Sequence, residues 1–166
     1  MSEQQETAVS WYEAEDCFSC NRKPDIQDNW NAAAMRLVRL FPSCAPDFIL
    51  NIPEEGQWTV TFRCRLSAEE PGILGASVWN TDVALEVPAD GQWQWVSLSV
   101  FLPRGGVTLH IATKRGEIEV DGFFVHNHPI DLPVKTHHLD AMIGKQEAEE
   151  CLTMPCYTLP PFEVKS

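Results

Sequence analysis

The sequence predicts an all-β protein: an antiparallel β-sandwich of the jelly-roll kind, followed by a mostly irregular C-terminal tail. Three observations predict it. Apolar and polar residues alternate through most of the chain's middle, the signature of strands with one buried face. Turn residues containing Pro and Gly separate these runs at intervals of roughly 8 to 12 residues, the spacing of sandwiches and barrels. No strand-helix-strand rhythm is present, which argues against a parallel α/β sheet.

The elements follow in order. Residues 1–10 are polar and acidic and are expected to be flexible. The domain proper is expected over residues 11–128, opening with a strand at 11–15. Residues 31–35 hold three alanines but read as a loop entering a strand at 35–40. In residues 47–66, Phe48, Leu50 and Ile52 alternate, Pro53-Glu54-Glu55-Gly56 interrupts, and Trp58, Val60, Phe62 and Cys64 resume. Residues 76–79 form a short strand. Val83, Leu85 and Val87 then lead through Pro88-Ala89-Asp90-Gly91 to Trp93, Trp95, Leu98, Val100 and Leu102. After Pro103-Arg104-Gly105-Gly106 come Val107, Leu109 and Ile111. Lys114-Arg115-Gly116 turns into Ile118, Val120, Phe123 and Val125. That makes about eight strands, and stacked antiparallel sheets are the economical way to bury their apolar faces. Residues 129–166 are rich in proline and form the tail, with one short helix expected within 138–152.

The 166 residues suit one domain. Acidic residues outnumber basic ones by 24 to 12, for a formal charge of −12. Nucleic acid is therefore an unfavourable partner, because no basic stripe exists to neutralise phosphates. Anionic membranes are disfavoured likewise. The opening residues show no basic-then-apolar signal peptide, so the expectation is a cytoplasmic protein or a domain excised from a secreted one. Cys17 and Cys20 form a C-x-x-C pair, and Cys151 and Cys156 lie close together. Four such thiols could hold zinc, but ordinary free or paired cysteines are the simpler reading. Cys64 reads as core.

Nothing in the sequence carries catalysis. The serines lack a nucleophile-elbow context, and no Gly-rich phosphate loop is present. Glu54-Glu55, Glu69-Glu70 and Glu149-Glu150 fall in turns or the tail. His126 and His128 make an H-x-H pair that lies past the last core strand, and His110 sits among apolar strand residues.

Three pieces of the chain, in order, resemble carbohydrate-binding modules of families six and thirty-five. Tyr12-Glu13-Ala14-Glu15-Asp16 is similar to their opening strand. Phe48 to Arg65, FILNIPEEGQWTVTFRCR, is similar to their Pro-x-x-Gly turn and following strand. Within Trp93 to Val125, Val120-Asp121-Gly122-Phe123 is similar to their closing strand. The resemblance implies a non-catalytic jelly roll that binds an oligosaccharide or polysaccharide, often with a structural calcium. In the resembled fold the first strand lies beside the last, bringing Asp121 to Glu13 and Glu15, whose side chains share a strand face. Calcium accepts such carboxylates.

A sugar ring rests its C–H face on an aromatic ring and needs polar partners for its hydroxyls. Trp30, flanked by Asn29 and Asn31, is the first candidate platform, and Trp79 with Asn80 the second. The resembled modules commonly place Asn two residues before the closing Asp. Here that position is Glu119, which leaves open a different ligand, a second binding face on the sheet, or no sugar at all. The competing reading is a protein-interaction or structural β-sandwich domain without sugar binding, whose partner is another protein or a larger parent chain.

Overall fold

A computed structural model describes residues 8–14, 17, 19–20, 25–28, 36–41 and 45–132. They form eleven strands: β1 (Val9–Glu13), β2 (Ser19–Cys20), β3 (Asp25–Asp28), β4 (Arg36–Leu40), β5 (Pro46–Ile52), β6 (Gly56–Arg65), β7 (Gly72–Val78), β8 (Thr81–Val87), β9 (Gln94–Leu102), β10 (Gly105–Arg115) and β11 (Ile118–His126). Among the described residues there is no helix. A six-stranded sheet runs β3-β4-β11-β6-β9, with β1 added on β11. A five-stranded sheet runs β2-β5-β10-β7-β8. Every pairing is antiparallel.

The alternating residues fill the space between the sheets. Phe48, Leu50, Leu74, Ala76, Leu109 and Ile111 come from one sheet, and Val60, Phe62, Leu98, Val100, Phe123 and Val125 from the other. Phe123 is the hub. Its ring stacks on Tyr12 at 5.1 Å and meets Phe48 edge-on at 5.0 Å. Cys64 is in this core, as expected, and burial pushes its thiol up to about 12. Trp58, expected to be buried, is 2% exposed, and its indole N–H donates to the Glu54 carbonyl at 3.0 Å.

Three details differ from expectation. The first strand opens at Val9, inside the stretch expected to be flexible, because Val9 and Ser10 pair with His126 and Val125. β2 and β3 are short strands in a polar stretch too irregular to show alternation. The residues 53–56 turn does not join neighbours: β5 pairs with β2 and β10, while β6 lies in the opposite sheet. Alternation reports which face is buried and is silent about the partner. Of the expected tail only residues 129–132 are described, and its expected helix lies outside the described residues.

One edge of β11 is shared. β4 covers Ile118 to Val120 and β1 covers Gly122 to His126, with β6 along the other edge. The β11–β6 register shifts between Val120 and Gly122, so Asp121 sits in a bulge where β1 and β4 meet.

Candidate functional site

β7 and β8 form a hairpin paired from Gly72↔Val87 to Val78↔Thr81, leaving Trp79 and Asn80 as a two-residue tip. Trp79 has φ of 56° and is the one described non-glycine residue with positive φ. A positive φ at the first tip residue alone is the pattern of a type II′ turn, where glycine is normal. Holding an L-residue there costs about 1–2 kcal/mol. Burial does not offset that cost, for Trp79 is 62% exposed. A bulky, strained and exposed residue is the kind of outlier that marks a working position.

Next to this tip, outward-facing residues line up across the five-stranded sheet. Asp47 on β5 is opposite His110 on β10, His110 is opposite Ser77 on β7, and Ser77 is opposite Asp82 on β8. The Asp47 carboxylate bonds His110 Nδ1, and the Ser77 hydroxyl donates to Asp82 Oδ1. The adjoining outward row is small, with Ala112 opposite Gly75 and Gly75 opposite Ala84. The Lys114 stem lies across Gly75, so close that a Cβ there would come within 2.6 Å of Lys114 Cε. The result is a polar, low-relief surface ending at an exposed indole.

The outward face of the six-stranded sheet is filled by its own side chains. Trp11, Trp95 and Phe124 pack together, with Phe124 4.8 Å from Trp11 and 5.8 Å from Trp95. Arg63, 1% exposed, donates to Asp121 Oδ2 at 2.6 Å. Arg65 Nε donates to Glu119 Oε1 at 2.8 Å, and Arg39 approaches the same carboxylate at 4.0 Å. Both Arg63 and Arg65 place their guanidinium carbons 4.6 Å from the Trp93 ring centroid, a cation–π arrangement. Further along, His126 is buried. Its Nδ1 bonds the His128 carbonyl at 2.7 Å, which leaves Nε2 to accept from the Thr61 hydroxyl at 2.9 Å. Ser97 bonds Thr61 in turn, at 2.9 Å. Desolvation, foremost, holds the His126 pKa below its ordinary value.

No protein-family model matches this chain, and no curated protein matches it. Solved structures do. The C-terminal family six carbohydrate-binding module of LamC, a marine laminarinase from Zobellia galactanivorans, superposes with a TM-score of 0.62 at 18% identity, over 72% of this chain and 100% of that one. A family 35 carbohydrate-binding module from Clostridium thermocellum gives 0.60 at 16% identity, over 71% and 97%. The fold is that of these carbohydrate-binding modules. It also occurs within larger enzymes: a cycloisomaltooligosaccharide glucanotransferase from a Paenibacillus species matches with a TM-score of 0.59 at 22% identity, over 69% of this chain but 18% of the enzyme.

Within this module fold, the expected site residues separate. Trp79 and Asn80 are exposed at the hairpin tip. Trp30, Asn29, Asn31 and Glu15 lie outside the described residues. The first and last strands do adjoin, with Glu13 opposite Gly122 and so beside Asp121. The Asp121 carboxylate is held by the Arg63 guanidinium, and Glu15, the third expected calcium ligand, lies outside the described residues. Among the described residues no group of three or more His, Cys, Asp and Glu is arranged to take a metal. Glu119, expected near the ligand, is engaged by Arg65 and Arg39. His126 is the last residue of β11 rather than beyond the core, and both its ring nitrogens are committed, which removes the H-x-H zinc reading. Sequence reasoning missed Asp47, Ser77 and Asp82. Each is an outward position in an alternating strand, but only the cross-strand register brings them into one row.

Proposed function

We propose that this chain is a non-catalytic glycan-binding module whose sugar stacks on Trp79. Asn80 and the row from Asp82 through Ser77 and His110 to Asp47 supply hydrogen bonds to the hydroxyls. The observation that carries the reading is Trp79 itself, an indole held outward at a backbone position that glycine would occupy with less strain. Its flat face takes sugar C–H groups, and hydroxyls, being both donors and acceptors, match carboxylate, imidazole and amide alike. Hydrolysis has no support in this arrangement. Asp47 and Asp82 are three strand steps apart, about 14 Å at roughly 4.8 Å per step. Glycosidase carboxylates stand about 5–9.5 Å apart. Trp30 with Asn29 and Asn31 remains a proposed second platform. The role proposed is to hold an attached partner near its polysaccharide.

The test is calorimetry or a glycan array with the purified chain and its Trp79→Ala variant. Binding to at least one oligosaccharide is expected. It should weaken at least tenfold in the variant, the effect of losing about 1.4 kcal/mol of stacking. A broad array on which the wild type binds no sugar would end the proposal.

A further inference from the structure

The two outward faces treat their carboxylates differently. On the six-stranded sheet, Asp121 and Glu119 are held by Arg63, Arg65 and Arg39. On the five-stranded sheet, Asp82 and Glu86 are exposed on β8 and make no ion pair with a described residue; Asp82 accepts a hydrogen bond from the Ser77 hydroxyl. Asp47, whose carboxylate is bonded by His110, lies on the same face. Among the described residues the cations nearby are few. Lys114 lies along Gly75, Arg115 donates to the Pro71 carbonyl at 2.9 Å, and His110 is bonded to Asp47.

Resting on the glycan-binding reading, we propose that the ligand is a cationic amino sugar, an oligomer whose 2-amino groups are free, and that Asp82 and Glu86 determine this choice. The spacing excludes a single chelated ion. Asp82 and Glu86 are four residues apart on one strand face, about 13 Å at roughly 3.3 Å per residue. Asp47 is a comparable distance from Asp82 across the sheet. Carboxylates so spread suit a ligand carrying repeated charges along its length. Trp79, at the head of β8, serves the same ligand twice: its ring takes the C–H face of one residue, and its π-cloud attracts an ammonium group. The overall charge of −12 draws such a polymer in and repels polyuronates. Exposed carboxylates on an edge strand also guard against aggregation, but that role alone gives no preference among sugars.

The experiment is calorimetry at low salt with four hexamers: β-1,4-linked 2-amino-2-deoxyglucose, its N-acetylated counterpart, unsubstituted β-1,4-glucose, and lysine. The amino sugar should bind at least tenfold more tightly than either neutral hexamer. That preference should collapse as sodium chloride rises, and should be erased in Asp82→Asn and Glu86→Gln. A neutral hexamer binding as tightly as the amino sugar overturns this inference and leaves the Trp79 reading standing. Failure of every sugar overturns both. Lysine hexamer binding as tightly as the amino sugar, with no loss in Trp79→Ala, also overturns the inference, because charge alone would then account for the association.

Discussion

Trp79 occupies a backbone conformation suited to glycine, and this makes a separable prediction. Replacing it by glycine relieves about 1–2 kcal/mol of strain, while glycine's extra freedom in the unfolded chain costs roughly 0.5–1 kcal/mol. The difference runs from nil to about 1.5 kcal/mol, so Trp79→Gly should be at least as stable as the wild type in urea denaturation while losing glycan binding. Loss of stability would show that the indole serves the fold. His126 gives a second prediction. Its pKa is lower in the folded protein than the ordinary 6.5, chiefly through desolvation. The unfolded chain therefore binds the proton first as pH falls. The stability this neutral, doubly bonded imidazole contributes is whole above 6.5 and is lost as pH drops from there through the folded value. Compared with His126→Gln, the wild type should show the steeper decline in Tm between pH 7 and pH 5. Parallel curves would refute the assignment.

At the level of the strand, β11 organises the sheet, and Gly122 is what lets β1 reach it. A Cβ at Gly122 would lie 2.3 Å from the Tyr12 carbonyl oxygen and 2.5 Å from the Trp11 ring. Both are atoms of β1, and one is backbone, so the strand itself would have to move. Gly122→Ala should cost about 1–3 kcal/mol, as overpacking does. It should also speed hydrogen exchange of the β1 amides more than those of β6. Uniform acceleration would mean that the strain spreads instead. The elements themselves were largely legible in the sequence, since Phe48-Leu50-Ile52 and Val107-Leu109-Ile111 announce buried faces by their period alone. β2 and β3 were not. Two and four residues are too few to display a period, and their order comes from pairing with β5 and β4.

For the molecule as a whole, the connections matter more than the strands. Of the ten successive pairs of elements, only β3–β4 and β7–β8 are neighbours in a sheet; the rest cross from one layer to the other. Closing the six-stranded sheet needs Val9 beside His126. Such non-local pairing is slow, because loop entropy is lost before contacts form. Refolding followed by tryptophan fluorescence should take milliseconds to seconds, and complete recovery in microseconds would contradict this topology. The same non-locality limits what sequence reading could find at the site. Trp79-Asn80 was visible, being two adjacent residues of suggestive type. The row of Asp47, His110, Ser77 and Asp82 was not, because four strands contribute one residue each and nothing in the chain states their register.

The Ala8–Asn127 junction has an engineering corollary. There the Asn127 N–H meets the Ala8 carbonyl at 3.2 Å, and the Asn127 side chain accepts from the Ala8 N–H at 2.7 Å. Entry to and exit from the sandwich thus share a single doorway. A host protein can receive these 120 or so residues as a graft in one surface loop, with its own ends scarcely parted. Conversely, linking residues 8 and 127 by a short tether and cutting elsewhere gives a circular permutant whose seam lies at this hydrogen-bonded corner.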